Sequence, residues 1–210
     1  MKVAYRECYR DPQTFADRIY LGEKVFAIAD GMGRGPGAVV AAQTAVEVLA
    51  NKRWEKTVDG IKKLLGEVNR EVMSATARLG DRQVSGTTLS LLCILEKSFI
   101  LGHVGDSRIY LLRDGKIKQL TEDQVQYSGN KKIVNTLGIN WNPEVFVEEG
   151  ELRKGDIFLL ISDGFAEVLS GELLTKLITE DVEESARRLY DEYTAHKRNQ
   201  DLSFIIIKND

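Results

Sequence analysis

Two apolar runs in this chain stop abruptly at Asp-Gly, and those endings constrain its fold more than any other feature. The first run is Val25-Phe26-Ala27-Ile28-Ala29, which meets Asp30-Gly31 and continues as Met32-Gly33-Arg34-Gly35-Pro36-Gly37. The second is Ile157-Phe158-Leu159-Leu160-Ile161, which passes through Ser162 to Asp163-Gly164. Runs of this length without polar alternation read as strands buried on both faces. A carboxylate at the end of such a strand is costly unless positive charge meets it. Two such endings predict carboxylates converging at one end of a core. Like charges that close need a cation between them, or one must hold a proton. Oxygen ligands with no local histidine or cysteine suit Mg²⁺ or Mn²⁺.

The rest of the chain supplies a setting. After the glycine loop a helix is expected from about Pro36, a good first-turn residue, to about Asn51. A second runs from about Val58 to Leu79, with Ile61, Leu64, Leu65, Val68 and Val72 at helical spacing. Strands are expected over 2–10, 17–21, 86–95, 99–106, 107–112, 117–120, 145–147 and 201–207, with Asp114-Gly115 a favoured hairpin turn. The stretch 121–142 reads as polar and irregular, with one helical turn near Lys132 to Leu137. Short helices are expected over 166–169 and 170–177, and an amphipathic one over 181–195. Consecutive hairpins with two pairs of helices predict an α+β fold of stacked antiparallel sheets with helices outside.

Size and charge narrow the function. With 210 residues and 43% hydrophobic content, 1–210 reads as a single domain able to bury a sizeable core. A net charge of -3 gives no global field toward nucleic acid or an anionic membrane, so neither is expected as a partner. Cys8 and Cys93 cannot build a disulfide framework and read as reduced thiols, which with the lack of a signal-like start points to the cytoplasm.

Rival chemistries find less support in the residues. Gly33 to Ala38 fits a loose dinucleotide-binding glycine pattern, but a carboxylate at Asp30 would repel a pyrophosphate, and the antiparallel meander is wrong for a doubly wound sheet. Asp106, after another apolar strand, and Asp201, at the mouth of the last one, are candidates to join Asp30 and Asp163. Gly-Asp-Ser is equally an ordinary turn. His103 reads as a buried strand residue and His196 as a solvated helix end; no serine or cysteine elbow supports nucleophilic catalysis.

These motifs carry a resemblance. Ala29-Asp30-Gly31-Met32-Gly33, Ser85-Gly86-Thr87-Thr88, Val104-Gly105-Asp106-Ser107-Arg108-Ile109-Tyr110, Gln119-Leu120-Thr121-Glu122-Asp123, Thr136-Leu137-Gly138 and Ser162-Asp163-Gly164 occur in family order over nearly the whole chain. The sequence resembles the metal-dependent type 2C (PPM) serine/threonine protein phosphatases in their small bacterial form. The resemblance implies a four-layer α-β-β-α sandwich with a centre of two Mg²⁺ or Mn²⁺ ions at one end. It implies that Asp30 bridges both ions, that the Gly31 carbonyl and Asp163 are ligands, and that Asp106 holds a third, looser ion. The implied reaction is hydrolysis of phosphoserine or phosphothreonine in a protein by metal-activated water.

The departures from that pattern are equally specific. Where the family has Asn-Glu-Asp before the first Asp-Gly strand, this chain has Phe15-Ala16-Asp17. Ala16 removes a ligand and Asp17 remains to support the shell. The terminal Asp-Asn pair reads Gln200-Asp201, which leaves Asp201, one position over, to substitute. Arg34 stands where glycine is usual and either clamps phosphate or faces solvent. Arg10 is the nearest counterpart of the family's phosphate-binding arginine. The losses at Ala16 and Gln200 also open the alternative of a weak or inactive relative that binds a phosphoprotein without hydrolysing it.

Overall fold

The computed structural model describes the chain except residues 10, 13, 34, 81–83, 129, 167 and 197–200. In chain order the strands are β1 (Lys2–Cys8), β2 (Asp17–Leu21), β3 (Val25–Met32), β4 (Gly86–Thr87), β5 (Leu89–Ile94), β6 (Ser98–Val104), β7 (Arg108–Arg113), β8 (Lys116–Gln119), β9 (Val125–Ser128), β10 (Asn130–Ile133), β11 (Phe146–Glu151), β12 (Ile157–Ile161) and β13 (Leu202–Lys208). The helices are α1 (Pro36–Asn51), α2 (Val58–Ala77), α3 (Asp163–Ala166), α4 (Gly171–Leu177) and α5 (Val182–Ala195). One antiparallel sheet has the order β1-β13-β12-β7-β8, the other β11-β6-β5-β3-β2, with β4 also paired to β3. The β9–β10 hairpin stands apart from both sheets.

Side-chain alternation along the strands builds three cores between four layers. On β12, Ile157, Leu159 and Ile161 pack with Leu174, Val182, Ala186 and Leu189 of α4 and α5. Phe158 and Leu160, facing the other way, meet Phe26, Ile28, Leu92 and Leu101 of the opposite sheet. On β3, Val25, Ala27 and Ala29 pack against α1 and α2. The small residues Ala41, Ala42 and Ala45 let α1 lie close on that sheet, while Ile61, Leu64, Leu65, Val68 and Val72 form the expected stripe of α2. Each fully buried Phe or Leu in these layers stabilises the fold by about 1.5–3 kcal/mol relative to exposure. The α-β-β-α sandwich expected from the sequence is therefore present. Among the described residues no helix is long and apolar enough to cross a membrane.

Helix ends follow from local sequence. Thr57 accepts from Gly60 N to cap α2, Ser170 accepts from Leu173 N at α4, and Asp181 accepts from Glu183 N and Glu184 N at α5.

Four expectations need correction. The helical turn expected at Lys132 to Leu137 is absent; residues up to Ile133 belong to β10, and Leu137 exchanges backbone hydrogen bonds with Thr87 at 2.9 and 3.0 Å. Leu137 is fully buried in the α1–α2 core, so tertiary pairing overrides local propensity. The strand expected over 86–95 is broken at Thr88, whose N–H turns aside to donate to Asp30 O at 2.9 Å. The short strand expected at 145–147 runs from Phe146 to Glu151 because it zips along β6 from His103 back to Ser98. The helix expected at 166–169 instead begins at Asp163, straight off the β12 end.

Candidate active site

Strand parity decides where Asp30 lies. Phe26 and Ile28 face between the sheets. Asp30, two residues on, continues that face just where the apolar filling ends. It opens on a cleft of about 770 Å³ whose lining includes Asp17, Asp30, Gly31, Asp163 and Asp201. Asp163 reaches it from the end of β12 in the opposite sheet, and Asp201 from the mouth of β13. The far wall is the loop and first turn of α1, with Gly33, Gly35, Pro36, Ala38, Val39 and Val40. The two Asp-Gly endings therefore converge on one space.

The backbone around Asp30 is tied down. Asp30 N donates to Thr88 Oγ1 at 3.1 Å, and Asp30 O accepts from Thr88 N at 2.9 Å and Thr87 Oγ1 at 3.0 Å. Thr88 Oγ1 also pairs with Ser107 Oγ at 2.8 Å. Gly31 must be glycine: a Cβ there would meet Ala38 O at 2.2 Å and Ala16 O at 2.9 Å. That close approach lets the first turn of α1 seal the cleft's inner edge.

Asp17 stands opposite Asp30 in the β2–β3 ladder and is only 3% exposed. Ser162 Oγ donates to Asp17 Oδ2 at 2.9 Å, and Ser203 N donates to Ser162 Oγ at 2.9 Å. One hydroxyl thus bonds a carboxylate of one sheet to the backbone of the other. Behind them Arg18 Nη1 donates to Phe15 O at 3.2 Å and Asp17 O at 2.6 Å, and Arg18 Nε donates to Gln43 Oε1 of α1 at 2.8 Å.

The electrostatics follow from this crowding. Burial first, then the charges of Asp17, Asp163 and Asp106, hold the Asp30 carboxyl well above the usual carboxylate range. Burial pushes Asp17 up to about 6, with the Ser162 hydrogen bond opposing and the Asp201 charge adding to the rise. Asp106 is fully buried and does not line the cleft; it acts on Asp30 through its field. A concentration of negative charge in an enclosed space is a site for cations. Among the described residues no three acidic, histidine or cysteine side chains are grouped tightly enough to enclose one ion by themselves. Ions here would take one or two carboxylates each and fill their shells with backbone carbonyl and water, which is the habit of Mg²⁺. The donor set fits a hard divalent cation.

Other expected residues fall elsewhere. Arg10, Arg34 and Gln200 lie outside the described residues. His103 is buried, with Nδ1 2.9 Å from Ser90 Oγ and Nε2 3.1 Å from Glu122 O, and burial lowers its pKa to about 4. His196 sits at the exposed end of α5. Sequence reading passed over the contacts of Ser162 and Thr88. Ser162 stands beside an acidic ending, but neither hydroxyl carries a local signal of the partner it meets across the layers.

With the geometry in place, three comparisons bear on it. A serine/threonine protein phosphatase PstP of Mycobacterium tuberculosis is 31% identical over 196 residues, which is 83% of this chain; the chain spans 38% of the length of that relative. A crystal structure of the M. tuberculosis phosphatase PstP/Ppp superposes with a TM-score of 0.90 at 25% identity, covering 100% of this chain and 98% of the other. A PstP catalytic domain in complex with two manganese ions superposes with a TM-score of 0.84 at 26% identity, covering 98% of this chain and 96% of that one. The pattern of the protein phosphatase 2C family matches residues 14–204, so that the convergence of Asp30 and Asp163 between two sheets sits within a family-wide match, and the chain belongs to the protein phosphatase 2C family.

Proposed function

We propose that this chain is a metal-dependent protein phosphatase that hydrolyses phosphoserine and phosphothreonine in a phosphorylated protein. The observation that carries the reading is the meeting of Asp30 and Asp163, delivered by different sheets, in one cleft of a protein phosphatase 2C chain. Asp30, the Gly31 carbonyl, Asp163 and Asp201 are the residues that would hold two Mg²⁺ or Mn²⁺ ions; Asp106, buried outside the cleft lining, adds its negative charge rather than holding a third. When bound, such ions lower the pKa of a water toward neutrality and neutralise charge on the phosphoryl oxygens.

The chain's own residues supply the positioning. Thr87 and Thr88 fix the backbone on both sides of the Asp30 peptide, so its carboxylate is presented without reorganisation. Asp17 is shared between Ser162 and Asp30, which keeps it facing the acidic group and away from solvent. Pro36, Val39 and Val40 give the cleft an apolar wall against which the phosphorylated segment rests. We read 1–210 as one phosphatase-like domain, because all three cores share the two sheets, and place it in the cytoplasm, where the buried thiols of Cys8 and Cys93 stay reduced.

A second reading has its own support. Ala16, not a carboxylate, lines the cleft beside Asp17, which favours weak ion binding and a domain that holds a phosphoprotein with little turnover. Phosphate release from a phosphothreonine peptide with Mn²⁺, with EDTA, and in Asp163→Asn separates the two. Release that needs Mn²⁺ and drops at least about 100-fold in the variant supports the phosphatase. Peptide binding without release supports the binding domain, and loss of both Mn²⁺ and peptide binding refutes both.

A further inference from the structure

The turn between β6 and β7, Gly105-Asp106-Ser107, is gripped from outside by a four-residue strap, Thr121 to Gln124. Every strap residue takes hold of the turn or of a strand end beside it. Thr121 Oγ1 accepts from Ile109 N at 3.1 Å. The Glu122 carbonyl lies 3.1 Å from His103 Nε2. The Asp123 carboxylate accepts from Arg108 Nε at 2.9 Å and Nη2 at 2.6 Å. Gln124 grips Gly105 twice: its N–H donates to Gly105 O at 2.8 Å, and its Oε1 accepts from Gly105 N at 2.6 Å.

Gly105 cannot yield on its other side. Its φ is +109°, and a Cβ there would meet Thr88 Cγ2 at 2.5 Å. Thr88 is the residue whose hydroxyl accepts from Asp30 N and pairs with Ser107 Oγ. Gly105 is therefore pinned between Gln124 and the residue that fixes Asp30. Gln124 is also where the β9–β10 hairpin closes. Val134 N donates to Gln124 O at 3.1 Å, and Asn135 Nδ2 donates to Gln124 Oε1 at 2.7 Å and to Glu144 O at 2.6 Å.

We propose that Gln124 is a positioning residue: it fixes the Gly105–Asp106 turn, which Thr88 and Ser107 join to the Asp30 backbone, and so ties the seating of the β9–β10 hairpin to the acidic site. The structural role stands on the hydrogen bonds alone; its effect on turnover rests on the phosphatase reading. Residues that orient a charged shell from behind change ion affinity or activity by roughly 10- to 100-fold when lost.

The test compares Gln124→Leu, which removes the accepting oxygen, with Gln124→Glu, which keeps it for Gly105 N and Asn135 Nδ2 and gives up only the weaker donation from Gln124 Nε2 to Glu144 O at 3.2 Å. Three readouts apply to the full chain: exchange of the Gly105 amide by NMR in EDTA, Mn²⁺ affinity by calorimetry, and kcat and KM on p-nitrophenyl phosphate. In Gln124→Leu we expect Gly105 exchange to speed up about tenfold, Mn²⁺ to bind about tenfold more weakly, and kcat to fall about tenfold with KM within about twofold. Gln124→Glu restores exchange protection and Mn²⁺ affinity. Wild-type Mn²⁺ affinity in the leucine variant, or a loss that glutamate does not restore, overturns the proposal. If wild type turns over no phosphate ester, the phosphatase reading fails, while exchange and Mn²⁺ binding still decide the role of Gln124. Should the leucine variant not fold, Gln124→Asn, whose shorter side chain draws its oxygen away from Gly105, serves in its place.

Discussion

Replacing Asp17 by Asn should make the metal-free protein gain stability, relative to wild type, as pH rises. Asp17 has a folded pKa of about 6, raised chiefly by burial, against an unfolded value of 3.8. A carboxyl whose pKa is raised on folding contributes stability that is fully present below its unfolded pKa and is lost as pH rises through its folded pKa. Over the whole range the loss is about 3 kcal/mol, from roughly two pKa units at 1.36 kcal/mol each. Between about pH 5 and 7.5, where the folded group gives up most of its proton, it is about 1 kcal/mol. Asp30 is raised well above its ordinary value, partly by the Asp17 charge, so removing that charge adds to the effect in the same direction.

His103 would mask this in wild type alone. Its folded pKa is lowered to about 4 by burial, so its neutral form favours folding increasingly as pH rises toward the unfolded value of 6.5. That gain is about 2 kcal/mol over the same window, opposite in sign to the Asp17 loss. The quantity to measure is therefore the difference between Asp17→Asn and wild type in EDTA, by urea unfolding at several pH values, in which His103 cancels. We expect the variant to gain at least about 1 kcal/mol on wild type from pH 5 to 7.5. A difference that stays flat, or that falls with pH, would refute the idea that Asp17 is buried with a proton at the acidic end of the cleft.

Other perturbations probe the same construction. Ser162→Ala strips the hydroxyl from buried Asp17 and leaves Ser203 N–H without its acceptor, so urea unfolding should show a loss of about 2–4 kcal/mol. Gly31→Ala drives a methyl against Ala38 O and Ala16 O; the first turn of α1 must move, and calorimetry should show a loss of about 2 kcal/mol or more together with weaker Mn²⁺ binding. Ala16→Glu adds a carboxylate to the cleft and should lower the melting temperature in EDTA while raising it in Mn²⁺ beyond wild type, because bound ion stabilises by mass action. An equal melting temperature in both conditions would show that the new side chain faces away from the ions.

How much of this could be read beforehand depends on whether the information was local. Asp30 and Asp163 were legible because each ends an unbroken apolar run, and a chain places a carboxylate there only where something compensates it. The helix stripe of α2 and the Asp114-Gly115 turn were legible for the same reason: one period or one dipeptide suffices. The β9–β10 hairpin was not. Its segment lacks clean alternation, and it is held by Gln124, Asn135 and Glu144 across a polar network whose members are unremarkable singly. Thr88 was hidden inside what reads as a continuous strand, and only the approach of Asp30 O shows why the strand breaks. Ser162 shows the limit most clearly. Nothing in its neighbourhood along the chain says that its hydroxyl meets Asp17, since that contact exists only when two sheets stack at one particular offset. The charged ends of the strands announce themselves because their cost is local. The neutral groups that make those charges tolerable sit in other elements, and they become visible only once the layers are assembled.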